Sequence, residues 1–191
     1  MSKKKSVILF ASGGGSNALA IINYFKDNKN IDFPLIVSNN PKAGVLEIAK
    51  KEGIPSVVIN KEELQSKELL NQIQSIAPDL IVLAGFLLKI PEFWTELWVN
   101  QIVNIHPALL PEFGGKGMYG KYVHQAVKEA RKKETGMTIH YVNANYDEGN
   151  IIMQARCLIE DEDNPEQIAA KVLRLEHYFY PRTIAFLLAM D

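Results

Sequence analysis

Two hydrogen-bonding side chains, Asn104 and His106, stand two residues apart where a short apolar run ends. Side chains at this spacing in an extended strand point to the same face, so the amide and the imidazole would face the same region of space. Pro107 stops a helix from continuing and favours extended backbone at His106. Both side chains can donate hydrogen bonds to a developing oxyanion. The alternative interpretation is a core histidine and a turn asparagine that only satisfy backbone groups.

A glycine turn at residues 12–17 follows the first apolar run, and a helical pattern begins directly after it. The order strand, glycine turn, helix brings free backbone N–H groups and the positive end of the helix dipole close to a ligand. We therefore expect a phosphate-binding turn, with Ser16 or Asn17 capping the helix. The alternative is a tight, capped turn that binds nothing.

The G-x-G-x-x-A spacing that starts at Gly13 also fits the relaxed dinucleotide fingerprint, so a nicotinamide or flavin enzyme is a competing hypothesis. That fingerprint requires an acidic side chain at the end of the second strand. The predicted second strand, residues 33–37, ends instead in a Ser-Asn-Asn sequence, and Asp32 stands at its start. The pattern favours a mononucleotide-like phosphate over NAD.

Predicted strands and helices alternate along the rest of the chain. The predicted strands are 7–11, 33–37, 56–59, 80–84, 102–105, 136–142 and 151–159, and the helices after the first are 45–51, 61–75, 91–98, 122–133 and the segment from Asn164 onward. This alternation predicts a single α/β domain over residues 1–191, with a doubly wound, mostly parallel sheet and helices on both faces. Right-handed crossovers place the strand ends on one edge, so the glycine turn and Asn104 should face one crevice.

Three further features qualify this outline. The last two strands are placed to pair as a hairpin, which would make that end of the sheet mixed. The final helix is capped by Asn164 and is expected to be kinked or interrupted near Pro181. The glycine-rich segment 112–121 is either a mobile cover for the crevice or a plain surface insertion.

Composition excludes several classes of protein. The chain has 191 residues, is 47% hydrophobic and carries a formal net charge of −1, so no bulk field attracts nucleic acid or an anionic membrane. The apolar run at 7–11 is too short for a signal peptide, and one cysteine, Cys157, is compatible with a reducing cytoplasm. We expect a cytoplasmic protein with no metal, nucleic-acid or membrane partner, and the sequence leaves a homodimer open.

Three separated motifs together resemble the folate-dependent formyltransferase family, and the likeness spans almost the whole chain. The motifs are Gly14-Gly15-Ser16-Asn17, Asn104-Ile105-His106-Pro107 with Leu109-Leu110-Pro111, and Tyr146-Asp147-Glu148-Gly149. The segment 79–86 and the late Glu176-His177 pair add to the likeness. Any one of these motifs is weak, whereas the ordered set is specific.

The resemblance implies transfer of a formyl group from the co-substrate 10-formyltetrahydrofolate to the amine of glycinamide ribonucleotide, a step of de novo purine biosynthesis. Both partners are small molecules. It assigns the catalytic role to Asn104, His106 and Asp147. It assigns the ribonucleotide to Gly14, Gly15, Ser16, Asn17 and Glu176, and the folate to Phe86, Leu87, Leu88, Lys89, Ile90, Asn104, Asn143, Ala144, Asn145 and Tyr146. Leu88 stands where relatives commonly have arginine. Lys89, the next residue, places a positive charge one position later in the chain.

Three other activities compete with this hypothesis. Hydrolysis of the formyl donor would use water as the acceptor, and formyl transfer to initiator methionyl-tRNA would use an aminoacyl-tRNA. Related proteins with these activities carry an additional domain, which we do not expect in 191 residues. A non-catalytic mononucleotide-binding module would need the glycine turn but not the amide, imidazole and carboxylate.

Overall fold

The computed structural model describes residues 4–189, and eight strands alternate there with seven helices. The strands are β1 (Lys5–Phe10), β2 (Ile31–Asp32), β3 (Ile36–Ser38), β4 (Ser56–Val58), β5 (Leu80–Leu83), β6 (Ile102–His106), β7 (Glu134–Tyr141) and β8 (Ile151–Leu158). The helices are α1 (Ser16–Phe25), α2 (Gly44–Glu52), α3 (Lys61–Leu64), α4 (Lys67–Ile76), α5 (Glu92–Leu97), α6 (Lys121–Glu129) and α7 (Pro165–Ala189).

One mixed sheet contains all of these strands, in the order β4-β3-β1-β5-β6-β7-β8 with β2 beside β1. The strands from β4 to β6 are parallel, and β7 and β8 join them antiparallel. The most apolar strand, β5, lies fourth of seven, where helices cover both faces. The sheet confirms the predicted α/β fold and the predicted antiparallel pair at one end.

Two hydrophobic cores lie on opposite faces of this sheet, because successive side chains of a strand point in opposite directions. Val7 and Leu9 pack with the core that includes α1, α2 and α7, whereas Ile8 and Phe10 pack with the core that includes α3, α4 and α5. The fully buried ring of Trp94 in α5 packs edge-on against Phe10. The sheet is therefore doubly wound.

Three predicted segments differ from the observed ones. The predicted strand at 33–37 is broken at Pro34, which cannot donate a ladder hydrogen bond, so β2 and β3 flank the break. The predicted helix at 61–75 is two helices, because the Ser66 side chain accepts from Leu69 N–H and caps α4. The helix predicted at 122–133 ends at Glu129.

Helix α7 is continuous through Pro181, so the interruption predicted there is wrong. Proline lacks the N–H that continues the helical ladder. Side chains supply donors to neighbouring carbonyls: Arg182 Nη1 donates to Tyr178 O at 2.6 Å, and Thr183 Oγ1 donates to Phe179 O at 3.0 Å. Burial of the apolar face of α7 against the sheet holds the helix together around the proline.

The Tyr180 hydroxyl connects α7 to the two central strands β5 and β6, whose carboxyl ends border the candidate site. Its oxygen lies 3.0 Å from Leu83 O and 3.2 Å from Val103 O, which are carbonyls of the two central strands β5 and β6. The side chain is fully buried. Within residues 4–189, no helix combines the length and the apolarity that crossing a bilayer requires.

We expect Tyr180→Phe to lower the free energy of unfolding by about 1–3 kcal/mol, because two buried carbonyls would lose their hydroxyl partner. Urea denaturation measures this difference. Tyr178→Phe is the matched control, because Tyr178 is 52% exposed, and it should change stability by less than about 0.5 kcal/mol. Equal stabilities of the two variants would contradict this role for the hydroxyl.

Candidate active site

A cavity of about 910 Å³ opens at the carboxyl ends of the parallel strands. The predicted site residues that line it are Gly14, Gly15, Ser16, Asn17, Phe86, Leu87, Leu88, Lys89, Ile90, Asn104, His106, Asn143, Asn145, Tyr146, Asp147 and Glu176. Ala144 is the one predicted residue that does not line the cavity. The glycine turn and Asn104 therefore share one crevice, as the topology predicts.

Strand β6 presents the amide and the imidazole, and β7 presents the groups opposite them. Asn104 is paired with His140, and His106 is paired with Thr138. The Asn104 Nδ2 atom lies 3.2 Å from His140 Nε2. The antiparallel register thus adds a second buried imidazole to the cluster.

The carboxylate of Asp147 joins this cluster from the turn between β7 and β8. Its Oδ1 lies 3.5 Å from Asn104 Nδ2 and 3.6 Å from His140 Nε2. Its Oδ2 lies 3.5 Å from His106 Nδ1 and accepts the Gly115 N–H at 3.0 Å. The backbone of Asp147 has φ +57°, a left-handed conformation that aspartate tolerates better than most residues.

Both ring nitrogens of His106 face oxygen atoms. Nε2 lies 2.7 Å from the Phe113 carbonyl, and Nδ1 faces Asp147. Burial lowers the pKa of the imidazole, and the Asp147 carboxylate and the Phe113 carbonyl oppose that shift. Burial thus disfavours the imidazolium, while the two acceptors already in place would take hydrogen bonds from it once a proton is added.

Burial also acts on Asp147 and would raise its pKa. The His140 side chain, the charge on His106 and the Gly115 N–H outweigh that effect and hold the pKa of the carboxyl below its ordinary value. Asp147 is therefore ionised at neutral pH. An imidazole beside an ionised carboxylate is suited to holding a proton during a reaction, because the carboxylate stabilises the imidazolium.

The glycine turn opens onto the same cavity, and its geometry differs from the expectation in one detail. Gly15 is the N-cap of α1 and has φ +79°, with no side chain capping the helix. The predicted cap by Ser16 or Asn17 is wrong, because the helix already begins at Ser16 and the Asn17 amide is engaged elsewhere. The first N–H groups of α1 thus remain free to bind an anion.

Asn17 instead donates from Nδ2 to Glu176 Oε2 at 2.6 Å, across 159 positions of sequence. Glu176 is 7% exposed, and burial raises its pKa to about 6 although the Asn17 bond opposes the shift. The Asn17 Oδ1 atom is buried without a partner. This pair therefore presents a carboxyl that changes its protonation just below neutral pH.

The segment 86–90 and the 143–146 turn form an apolar wall of the cavity with a cation at its rim. Lys89 Nζ lies 5.8 Å from the centre of the Tyr146 ring. The Ser12 hydroxyl accepts the Leu87 N–H at 2.8 Å and bonds to Asn39, so it connects this wall to the glycine turn. The Ser12 hydroxyl thus joins the glycine turn to the segment 86–90 by a direct hydrogen bond.

Two positions of the candidate site were assigned no role in the sequence interpretation. His140 lies in the predicted strand 136–142, and its signal was the period-2 pattern that sets it opposite Asn104. Ser12 was included only as part of the turn. The glycine-rich segment reaches the cavity with residues 115–121, and Gly115 touches Asp147.

Neither a metal cluster nor an active thiol is indicated among the described residues. No group of three or more His, Cys, Asp or Glu side chains within residues 4–189 is arranged to hold a metal ion. Cys157 is half-buried, and burial raises the pKa of its thiol. A thiol with a raised pKa is a poor nucleophile.

The comparisons with known proteins agree with this geometry. Residues 5–184 match the protein-family model described as formyl transferase. The chain belongs to the formyl transferase family. Its membership places the Asn104, His106 and Asp147 cluster in a family whose proteins transfer formyl groups.

Several relatives of this formyl transferase chain carry one name. The chain is 39% identical over 189 residues to the chloroplastic phosphoribosylglycinamide formyltransferase of Arabidopsis thaliana, covering 95% of this chain but only 65% of that protein. It is 34% identical to phosphoribosylglycinamide formyltransferase of Bacillus subtilis, covering 98% of this chain and 96% of that protein. The solved structure of phosphoribosylglycinamide formyltransferase from Bacillus halodurans matches with a TM-score of 0.87 at 36% identity, covering 96% of this chain and 95% of that one.

We expect Gly15→Ala to destabilise the fold by about 1–3 kcal/mol, because alanine is strained at a positive φ. Its Cβ would also lie 2.8 Å from Val45 Cβ and 2.9 Å from the Val45 Cα. Gly13→Ala is the matched control from the same turn, since no atom lies within 4 Å of its added Cβ. Urea denaturation that ranks the two variants equally would contradict the close approach at Gly15.

We expect Glu176→Gln to gain stability relative to the unaltered chain as pH rises. The pKa of Glu176 rises from 4.5 to about 6 on folding, so burial of the charged form costs little below pH 4.5 and its full amount above pH 6. The gain should approach about 2 kcal/mol between these limits. Urea denaturation at several pH values measures it, and a difference that is constant with pH would contradict the shift.

Proposed function

We propose that the protein transfers a formyl group from 10-formyltetrahydrofolate to the amine of glycinamide ribonucleotide, in de novo purine biosynthesis. One observation carries the proposal: an anion-binding glycine turn and a cluster of Asn104, His106 and Asp147 line the same cavity. The relatives named phosphoribosylglycinamide formyltransferase support the same substrate pair.

The chemistry needs an oxyanion stabilised and one proton moved. The amine nitrogen attacks the formyl carbon, a C–N bond forms, and the carbonyl electron pair moves to oxygen. The oxyanion electron pair then re-forms the C=O bond, the bond from that carbon to N10 of the folate breaks, and the electron pair of the broken bond goes to N10. The former amine releases one proton and N10 takes one up, so charge and protons balance.

Asn104, His106 and Asp147 match these needs. We assign Asn104 Nδ2 and the protonated His106 as donors to the oxyanion. In this step one His106 nitrogen exchanges its protein acceptor for the reacting oxygen. Asp147 stabilises the imidazolium, and loss of one oxyanion donor typically lowers the rate by ~10²–10³.

We place the two substrates at opposite ends of the cavity, so that the amine of one meets the formyl carbon of the other between them. The free N–H groups at the start of α1 suit the 5′-phosphate of the ribonucleotide, with Ser16 and Asn17 in the first turn. Glu176 faces the same end and suits the ribose hydroxyls. The wall at 86–90, with Asn143, Asn145 and Tyr146, suits the folate ring, and Lys89 at its rim supplies the cation that Leu88 lacks.

We place this activity in the cytoplasm and assign it small-molecule partners only. One cysteine, which cannot form an internal disulfide, supports a reducing compartment. The name of the Arabidopsis relative includes the word chloroplastic, which describes that relative and not this chain. A homodimer remains a prediction that a solution measurement of mass decides.

We expect Asn104→Ala and Asp147→Asn to retain binding of glycinamide ribonucleotide but to lower formyl transfer by about 10²–10³-fold. The measurement is the turnover of 10-formyltetrahydrofolate by purified protein, with glycinamide ribonucleotide or with water alone as acceptor. Calorimetry checks binding to the same variants.

Each outcome of this assay discriminates between the competing functions. Turnover that needs the ribonucleotide supports transfer, and equal turnover in water alone would instead identify a hydrolase. Binding of the ribonucleotide without turnover would identify a non-catalytic binding module. Gln125→Ala, on the exposed face of α6, is the control variant and should keep full activity.

A further inference from the structure

A third imidazole, that of His124, lines the cavity and makes no hydrogen bond within the described residues. His124 is 6% exposed, and its Nδ1 atom is buried without a partner. Its Nε2 atom is not fully buried, and because His124 lines the cavity, this is the nitrogen that can reach a ligand there. An imidazole that is otherwise buried therefore directs one nitrogen at the ligand space.

The hydrogen on this ring can be assigned from the two environments. A neutral imidazole has one donor and one acceptor nitrogen. A buried N–H without an acceptor is rarer in proteins than a buried lone pair without a donor. The lone pair therefore belongs on Nδ1 and the hydrogen on Nε2. Burial and the neighbouring His106 lower the pKa of His124, which keeps this donor neutral.

The position of His124 selects one of the two substrates. Val123, its neighbour in α6, packs in a cluster with Ala108 and with Ile168 of α7. Helix α7 also carries Glu176 and lines the cavity on the side of the glycine turn. The wall proposed for the folate lies on segments 86–90 and 143–146, which belong to neither helix. His124 thus faces the part of the cavity proposed for the ribonucleotide.

The position of His124 near His106 indicates which atom of the ribonucleotide it would contact. Both imidazoles line the cavity, and Val123, the neighbour of His124, packs in one cluster with Ala108, which lies two residues after His106. The amine that reacts near His106 is separated from the carbonyl of the glycinamide group by one carbon atom. That carbonyl oxygen is a hydrogen-bond acceptor at the His106 end of the ligand, whereas the phosphate lies at the glycine turn.

We propose that His124 is a further substrate-binding residue, whose Nε2–H donates to the carbonyl oxygen of the glycinamide group. The inference rests on the proposed function. It adds a contact that orients the reacting amine and distinguishes the glycinamide ligand from a ribose phosphate that lacks this group.

Calorimetric titration with glycinamide ribonucleotide and with ribose 5-phosphate tests the contact in a matched pair of variants. His124→Leu removes the donor and should weaken binding of glycinamide ribonucleotide about five- to tenfold, the effect of one hydrogen bond. His124→Gln places an amide N–H close to the position of Nε2 and should restore most of the affinity. Affinity for ribose 5-phosphate should be unchanged in both variants.

A purely structural role predicts other results. Because Nδ1 has no partner, His124→Leu should not lower the melting temperature, whereas loss of a structural histidine would lower it and weaken both ligands together. Unchanged affinity of His124→Leu for glycinamide ribonucleotide, or equal losses for both ligands, would overturn the assignment. Failure of the unaltered chain to bind glycinamide ribonucleotide would overturn the proposed function and this contact with it.

Discussion

The Asp147 carboxylate is the group on which the rest of the site depends. Two imidazoles, one amide and one backbone N–H converge on it. Burial would raise the pKa of this carboxyl, but the imidazoles and the backbone N–H outweigh that effect and hold the pKa below its ordinary value. The antiparallel register sets His140 opposite Asn104, and the turn between β7 and β8 carries Asp147 to within 3.5 Å of both Asn104 Nδ2 and His106 Nδ1. Removing any of these partners would leave a buried charge with too few donors.

The sheet brings the glycine turn and the cluster of Asn104, His106 and Asp147 to one cavity, although their residues are far apart in sequence. Strands β1 and β6 are separated by one strand, so the turn after β1 and the end of β6 open on the same edge. Between them, the Ser12 hydroxyl fixes the apolar wall to the turn, and Tyr180 fixes α7 to β5 and β6. Asn104 and His106 lie on β6 and Glu176 lies on α7, so regular elements limit the motion of these side chains.

Local patterns in the sequence were sufficient for the fold class and for most of the strands and helices. They failed where two local rules competed: Pro34 broke a predicted strand, whereas Pro181 did not interrupt a helix, since burial against the sheet decided the second case. In the candidate site, the residues Asn104, His106 and Asp147 were predicted to lie together because their types are distinctive and the family resemblance joined their motifs. The bond from Asn17 to Glu176 was not found, because nothing in the sequence pairs residues 159 positions apart. His140 was overlooked because its role arises only from register.

The central claim is that one cavity holds an anion at the glycine turn and a reacting carbon at Asn104, His106 and Asp147. A crystal structure of the protein with glycinamide ribonucleotide and a non-reactive analogue of 10-formyltetrahydrofolate tests it most directly. The account predicts the phosphate at the first N–H groups of α1, and the amine within about 3–3.5 Å of the formyl carbon, beside the Asn104 amide. A phosphate bound away from the glycine turn, or a formyl carbon remote from that amide, would contradict it.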